Sequence, residues 1–120
     1  MVVELADRQA VDRIFGALAD GTRRDIVTRV LAEPASVSAL AQRYAMSFAA
    51  VQKHVAVLER AGLVTKARRG REQLVSGDVE AVRAASRLLE RYEDIWRSRV
   101  DRIAGLLDEA PAGSTTKEES

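Results

Sequence analysis

Apolar residues recur through the first half of the chain at intervals of three and four positions, the spacing of one buried face of an α-helix. Asp20, Ser36 and Ser47 each stand just before such a stripe, where a side-chain oxygen can accept a hydrogen bond from a free helix N–H group. Pro34 interrupts the pattern because it cannot continue a helical hydrogen-bond ladder. The pattern predicts four helices, at residues 7–19, around residues 26–31, after Ser36 and after Ser47.

The period changes after Gly62, a residue suited to ending the fourth helix. Two short strand-like runs, residues 63–68 and 71–76, flank Arg69-Gly70 and predict a β-hairpin. Asp78 then caps a long last helix whose apolar positions continue to Leu107. The order helix, helix, helix, helix, hairpin, helix is that of a winged helix-turn-helix, a mainly α fold with a small β-hairpin. We expect one domain over residues 1–109 and a disordered tail over residues 110–120.

Composition removes several classes of function. The 120 residues contain no cysteine and a single histidine, His54, so disulfide scaffolds, thiol chemistry and cysteine-rich zinc sites are excluded. No glycine-rich phosphate loop, nucleophile elbow or metalloprotease motif occurs. We therefore expect no enzyme activity, no metal site and no cofactor. No apolar run is long enough to span a membrane and no signal peptide pattern is present, so we expect a cytoplasmic protein without a membrane partner.

Charge is unevenly distributed although the net charge is only +1. Residues 47–76 contain six basic and two acidic side chains, and residues 101–120 contain two basic and five acidic ones. A basic middle segment and an acidic end suggest a surface for a polyanion. By itself, this pattern is also compatible with an ordinary solvated face.

The fourth helix has the composition of a DNA recognition helix. Its apolar stripe is Val51, Val55 and Leu58, so the remaining side chains of its N-terminal half face outward, and a helix of this kind fits the major groove. Glutamine can bond adenine twice, and lysine can reach guanine or phosphate. Phe48 either touches a thymine methyl group or packs on the preceding helix, and both possibilities stay open. The outward residues are Ser47, Phe48, Ala49, Gln52 and Lys53.

The predicted hairpin concentrates positive charge directly after this helix. Such a tip can lie along phosphates or enter the minor groove, although basic edge strands also protect proteins from aggregation. Its position directly after the fourth helix favours DNA binding over protection from aggregation. Its basic residues are Lys66, Arg68, Arg69 and Arg71.

His54 and a charged group on the second helix are the remaining polar features of the pattern. His54 borders the apolar stripe; we favour packing at the core edge with one ring nitrogen bonded, and a DNA phosphate contact is the second possibility. The second helix carries a charged group that we interpret as a solvated face with local ion pairs. Its members are Arg23, Arg24, Asp25 and Arg29.

Three stretches of the chain together resemble the ArsR/SmtB-type winged helix repressors over about residues 11–107. The first, Phe15-Gly-Ala-Leu-Ala-Asp-Gly-Thr-Arg-Arg-Asp-Ile-Val27, is similar to the family's opening signature. Ser36-Val-Ser-Ala-Leu-Ala41 and Met46-Ser-Phe-Ala-Ala-Val-Gln-Lys-His-Val-Ala-Val-Leu-Glu-Arg-Ala-Gly-Leu-Val64 resemble its helix-turn-helix. Arg68-Arg-Gly-Arg71 resembles its wing.

The resemblance implies a homodimer that binds an inverted-repeat operator, as a repressor. It implies DNA contacts from Ser47, Phe48, Ala49, Gln52, Lys53 and His54 in the helix and from Arg68, Arg69 and Arg71 in the wing. It also implies a dimer interface from the first and last helices, at Val11, Phe15, Tyr92, Ile95, Trp96, Val100 and Ile103. The last helix independently looks too long and apolar for its own domain to cover.

One departure from the family concerns the signal that its members sense. Metal-sensing members use cysteine clusters, or histidine with carboxylates, and this chain lacks both, so it resembles the branch that does not sense metals. We expect no metal response, and the sequence names no effector ligand. A protein-interaction module that has lost DNA binding is the alternative function; the basic wing and open helix disfavour it.

Overall fold

Five helices and a small sheet make up the computed structural model, which describes the backbone of residues 2–109 and the side-chain surroundings of residues 7–108. The predicted tail, residues 110–120, lies outside the described residues. The chain divides after Ala85 into two units, so the last helix belongs partly to each. The elements in chain order are α1 (Val2–Leu18), α2 (Gly21–Ala32), β1 (Ala35–Ser36), α3 (Val37–Ala41), α4 (Phe48–Arg60), β2 (Val64–Arg69), β3 (Glu72–Gly77) and α5 (Val79–Glu109).

All four predicted caps are confirmed, including Asp78, whose Oδ1 accepts from the N–H of Glu80 at 2.9 Å. The backbone N–H of Arg23 donates to Asp20 Oδ1 at 3.0 Å, and that of Ala39 donates to Ser36 Oγ at 3.0 Å. The N–H of Ala50 donates to Ser47 Oγ at 3.1 Å. Each cap satisfies a donor that has no partner inside its helix, which is why helices begin at these residues.

The sheet is antiparallel with the order β1-β3-β2. β2 and β3 form the predicted hairpin, with Val64 opposite Gly77 and Arg69 opposite Glu72. β1 was not predicted, because two residues are too few to show a period; it pairs Ala35 with Val75. This pairing ties the hairpin to the chain segment between α2 and α3.

An aliphatic core fills the first unit, in keeping with a chain of which only 4% is aromatic. It joins all of the elements up to the hairpin and the first turns of α5. Its largest fully buried side chains are Ile26, Leu40, Val51, Val55, Leu58, Leu63, Val64 and Val75.

Gly77 lies where β3 passes close to Leu31 of α2. A Cβ atom at this position would be 2.8 Å from Leu31 Cα and 2.7 Å from Leu31 Cδ2. The Cα atom belongs to a helix backbone and cannot move aside as a flexible side chain can. Only glycine fits here without displacing α2 from the hairpin.

We expect Gly77→Ala to lower the free energy of unfolding by about 1–3 kcal/mol, as overpacking does elsewhere. Gly16→Ala is the matched control, since nothing lies within 4 Å of a Cβ placed at this α1 position. The control should be neutral or stabilising by up to about 1 kcal/mol, the helix-propensity difference. Urea unfolding of both variants measures this, and equal effects would contradict the close approach.

Candidate nucleic-acid interface

The segment between α3 and α4 is tied to α2 by one hydrogen-bonded cluster. Tyr44 Oη donates to Asp25 Oδ2 at 2.6 Å, and Arg29 Nε donates to the same oxygen at 2.9 Å. These two hydrogen bonds, the one from Tyr44 first, lower the pKa of the Asp25 carboxyl. Burial and the hydrogen bond to Asp25 raise the pKa of Tyr44. The cluster orients the helix-turn-helix connection, and the predicted local ion pair Asp25–Arg29 is part of it.

Arg24 is exposed, as predicted for a solvated face, whereas Arg23 is half-buried. Neither enters an ion pair among the described residues, so the predicted local ion pairs are wrong for these two arginines. Arg23 Nε donates to the Ala17 carbonyl and Arg24 Nη1 donates to the Leu18 carbonyl, both at 2.7 Å. The last carbonyls of α1 have no partner within their own helix, and these guanidinium groups supply one. A contact of this kind depends on how two helices meet, which the sequence pattern does not reveal.

α4 presents one buried and one open face. Val51 and Leu58 are 0% exposed and Val55 is 1% exposed, which confirms the predicted stripe. Ser47, Ala49, Gln52 and Lys53 are exposed. Phe48 is 47% exposed and does not join the core, which favours the open position, and its contact with a thymine methyl group stays a prediction. The N-terminal half of α4 therefore offers an aromatic ring, a methyl group, an amide and an ammonium group to solvent.

His54 lies at the edge between these faces. Its side chain is half-buried, and its Nδ1 atom is 3.4 Å from Nη1 of Arg23. This confirms the predicted packing at the core edge with one ring nitrogen bonded. A DNA contact from this residue stays a prediction.

The hairpin turns one residue later than predicted, at Gly70-Arg71 rather than Arg69-Gly70. Gly70 has a φ of +64°, and Arg71 follows with a negative φ. A two-residue loop with glycine at its first position matches the twist of the flanking strands. Arg71 thus sits at the tip of the wing, defined here as the β2–β3 hairpin over residues 64–77.

The wing arginines and the single wing lysine have different surroundings. Lys66 Nζ is 3.5 Å from Glu59 Oε1 and so joins the wing to α4. Arg68, Arg69 and Arg71 are exposed and enter none of the ion pairs found among the described residues. Three positive charges at the wing are therefore available to an external anion.

The α5 residues predicted for a dimer interface carry a large apolar surface. Tyr92 and Trp96 are each 58% exposed, and Ile95 is 67% exposed. Val100 and Ile103 are also exposed, whereas Val11 and Phe15 of α1 are half-buried. Their role in dimerisation stays a prediction.

The described residues form neither a metal-binding cluster nor a membrane-spanning helix. No group of three or more histidine, cysteine or carboxylate side chains is arranged there to hold a metal ion. None of the described helices combines the length and the apolar character that crossing a membrane requires.

A helix-turn-helix that leads into a basic wing defines a class of DNA-binding domain, and comparison with known proteins agrees. Residues 18–67 match a family model described as a helix-turn-helix domain. An HTH-type transcriptional regulator of Mycobacterium tuberculosis, Rv2034, is 36% identical over 97 residues, covering 81% of this chain and 88% of that protein.

Solved structures point to a narrower family. An ArsR-like transcriptional regulator from Rhodococcus sp. RHA1 has a TM-score of 0.73 at 30% identity, covering 85% of this chain and 96% of that one. A homodimeric winged helix-turn-helix DNA-binding domain from Mycobacterium bovis, described as a possible ArsR-family regulator, has a TM-score of 0.62 at 25% identity, covering 76% of this chain and 84% of that one. The chain belongs to the ArsR-type winged helix-turn-helix transcriptional regulators.

The Tyr44–Asp25 bond predicts an effect of acid on stability. Because the pKa of Asp25 is lowered in the fold, its stabilising contribution is present above the ordinary value of 3.8 and is lost as the pH falls through the lower folded value. Tyr44→Phe should therefore lower the Tm at neutral pH, and the difference from the wild type should shrink below about pH 4.

Asp25→Asn is the control background, because without the carboxyl that Tyr44 bonds the effect of Tyr44→Phe should no longer depend on pH. Thermal unfolding across the pH range measures Tyr44→Phe in both backgrounds. A Tyr44→Phe deficit that stays constant into acid would mean that the bond to Asp25 is not its origin.

Proposed function

We propose that this protein is a homodimeric repressor that binds an inverted-repeat operator in double-stranded DNA and does not respond to metal ions. The observation that carries the proposal is the open N-terminal half of α4 beside a wing with three exposed arginines. Together the helix and the wing offer groups for base edges and groups for phosphates. We expect such a protein to act in the cytoplasm, where its DNA is.

The recognition helix and the wing have separate tasks in this proposal. Gln52 has the donor and acceptor that adenine needs in the major groove, and Phe48 can cover a thymine methyl group. Ser47 and Ala49 let the helix approach the bases closely, and Lys53 reaches guanine or phosphate. Arg68, Arg69 and Arg71 add affinity that does not depend on sequence.

Self-association is supported by α5 and by a relative. Eight large apolar side chains between Leu89 and Leu107 are 43–68% exposed, more than an isolated surface helix ordinarily presents to water. The Mycobacterium bovis domain is described as homodimeric. A two-fold dimer would present two recognition helices and so match an inverted repeat.

Independence from metals rests on composition. The chain has no cysteine and one histidine, so thiolate and paired-histidine sites cannot be built from it. Any effector that releases the DNA is therefore expected to be something other than a thiophilic metal ion.

Selection of bound sequences from random duplexes is the direct test. We expect an inverted repeat to be enriched, with an affinity that falls log-linearly with salt.

Gln52→Ala should lose about 1–3 kcal/mol of discrimination at particular base pairs. Arg69→Ala should weaken binding to all sequences alike and reduce the salt slope by about one. If both variants behave identically, the proposed division of tasks between helix and wing is wrong. If no duplex binds, the result supports the alternative of a protein-interaction module.

A charge substitution in α5 tests the proposed dimer interface. Trp96→Glu places a charge in the proposed interface and should give monomers in analytical ultracentrifugation, because burying an unpaired carboxylate is costly. Ser98→Glu is the matched control, since two residues along an α-helix turn the side chain about 200° away. A dimer that survives Trp96→Glu would contradict this interface.

A further inference from the structure

The guanidinium group of Arg23 lies where α1, α2 and α4 meet. Its Nε donates to the Ala17 carbonyl at 2.7 Å and its Nη2 donates to the Gly16 carbonyl at 3.3 Å. Its third nitrogen, Nη1, is 3.4 Å from His54 Nδ1 on α4. One side chain of α2 therefore joins the end of α1 to the recognition helix.

This contact decides where His54 carries its proton. Arginine has five N–H donors, no acceptor, and stays charged in proteins. A ring nitrogen bonded to it must offer a lone pair, so Nδ1 is the unprotonated nitrogen of the neutral ring. The N–H group then lies at Nε2, on the other side of the imidazole.

The Nε2–H donor is left available for an external acceptor. No partner for it occurs among the described residues, and no buried polar side-chain atom there lacks a partner, so Nε2 reaches solvent. On the helical wheel His54 lies between the buried stripe and the exposed Lys53, on the flank of α4. The flanks of a helix inserted in the major groove face the phosphate backbones.

We propose that Arg23 is a positioning residue for DNA binding: it holds His54 as the Nε2–H tautomer, and that N–H donates a hydrogen bond to a DNA phosphate. The proposal rests on the proposed DNA-binding function and adds a residue that does not itself touch DNA. It also distinguishes Arg23 from Arg24, which bonds the end of the same α1 helix without reaching α4.

The tautomer is tested on the free protein. Nitrogen-15 NMR of the single histidine should show Nδ1 unprotonated and Nε2 protonated above neutral pH in the wild type. Arg23→Gln should produce a mixture of tautomers, whereas Arg24→Gln, which removes the same charge and also a bond to α1, should leave the signals unchanged. A mixture in the wild type would overturn the role of Arg23.

The phosphate contact is tested with a mixed-sequence duplex of about 30 base pairs, long enough for two half-sites. His54→Asn carries no N–H at the Nε2 position and should weaken binding about tenfold, the effect of a hydrogen bond to a charged group. His54→Gln places an amide N–H near Nε2 and should retain affinity within about threefold. Equal losses in the two variants would overturn the donation.

Salt dependence separates this contact from those of the wing. A neutral imidazole releases no counterion, so His54→Asn should lower affinity without changing the slope against salt, unlike Arg69→Ala. With His54 in place, Arg23→Gln should weaken binding more than Arg24→Gln. In the His54→Asn background, the two arginine substitutions should weaken binding equally. Persistence of the difference there would mean that Arg23 acts by another route.

Thermal unfolding of each variant sets the temperature of the titrations below the lowest Tm. Failure of the wild type to bind the duplex at low salt would contradict the proposed function and the phosphate contact together. The NMR result on the wild type would still decide whether Arg23 sets the tautomer.

Discussion

Burial of one face of α4 is the constraint on which the rest of the structure depends. Val51, Val55 and Leu58 are sealed in the aliphatic core, and an α-helix that buries one stripe must present the opposite side chains outward. Gln52 and Lys53 are therefore exposed as a consequence of packing. The same core holds Leu63 and Val64, so the hairpin emerges directly beside the helix.

The ends of the helices are the second determinant, because each leaves polar backbone groups that need partners. Asp20, Ser36 and Ser47 satisfy the beginnings locally. The end of α1 is satisfied from another helix, by Arg23 and Arg24. That solution gives Arg23 its position next to His54, so a requirement of the fold supplies the chemistry proposed for the DNA-binding helix.

Sequence reasoning succeeded where the physical cause acts within a few residues. The buried stripe of α4, its Ser47 cap and the hairpin were all expected. It failed for β1, which is too short for a period, and for Arg23 and Arg24, whose partners lie on another helix. Phe48 was undecided because its neighbours in sequence do not say how much room the preceding helix leaves.

The sequence by itself determined the helices, their caps, the order of helices and hairpin, and the concentration of charge in the wing. These depend on periodicity and on hydrogen bonds between residues three or four positions apart. Only the tertiary structure decided that Phe48 stays outside the core, that the turn falls at Gly70-Arg71 and that Arg23 meets His54 across 31 positions of sequence. Contacts between distant residues follow from how whole helices pack, and no local pattern encodes that geometry.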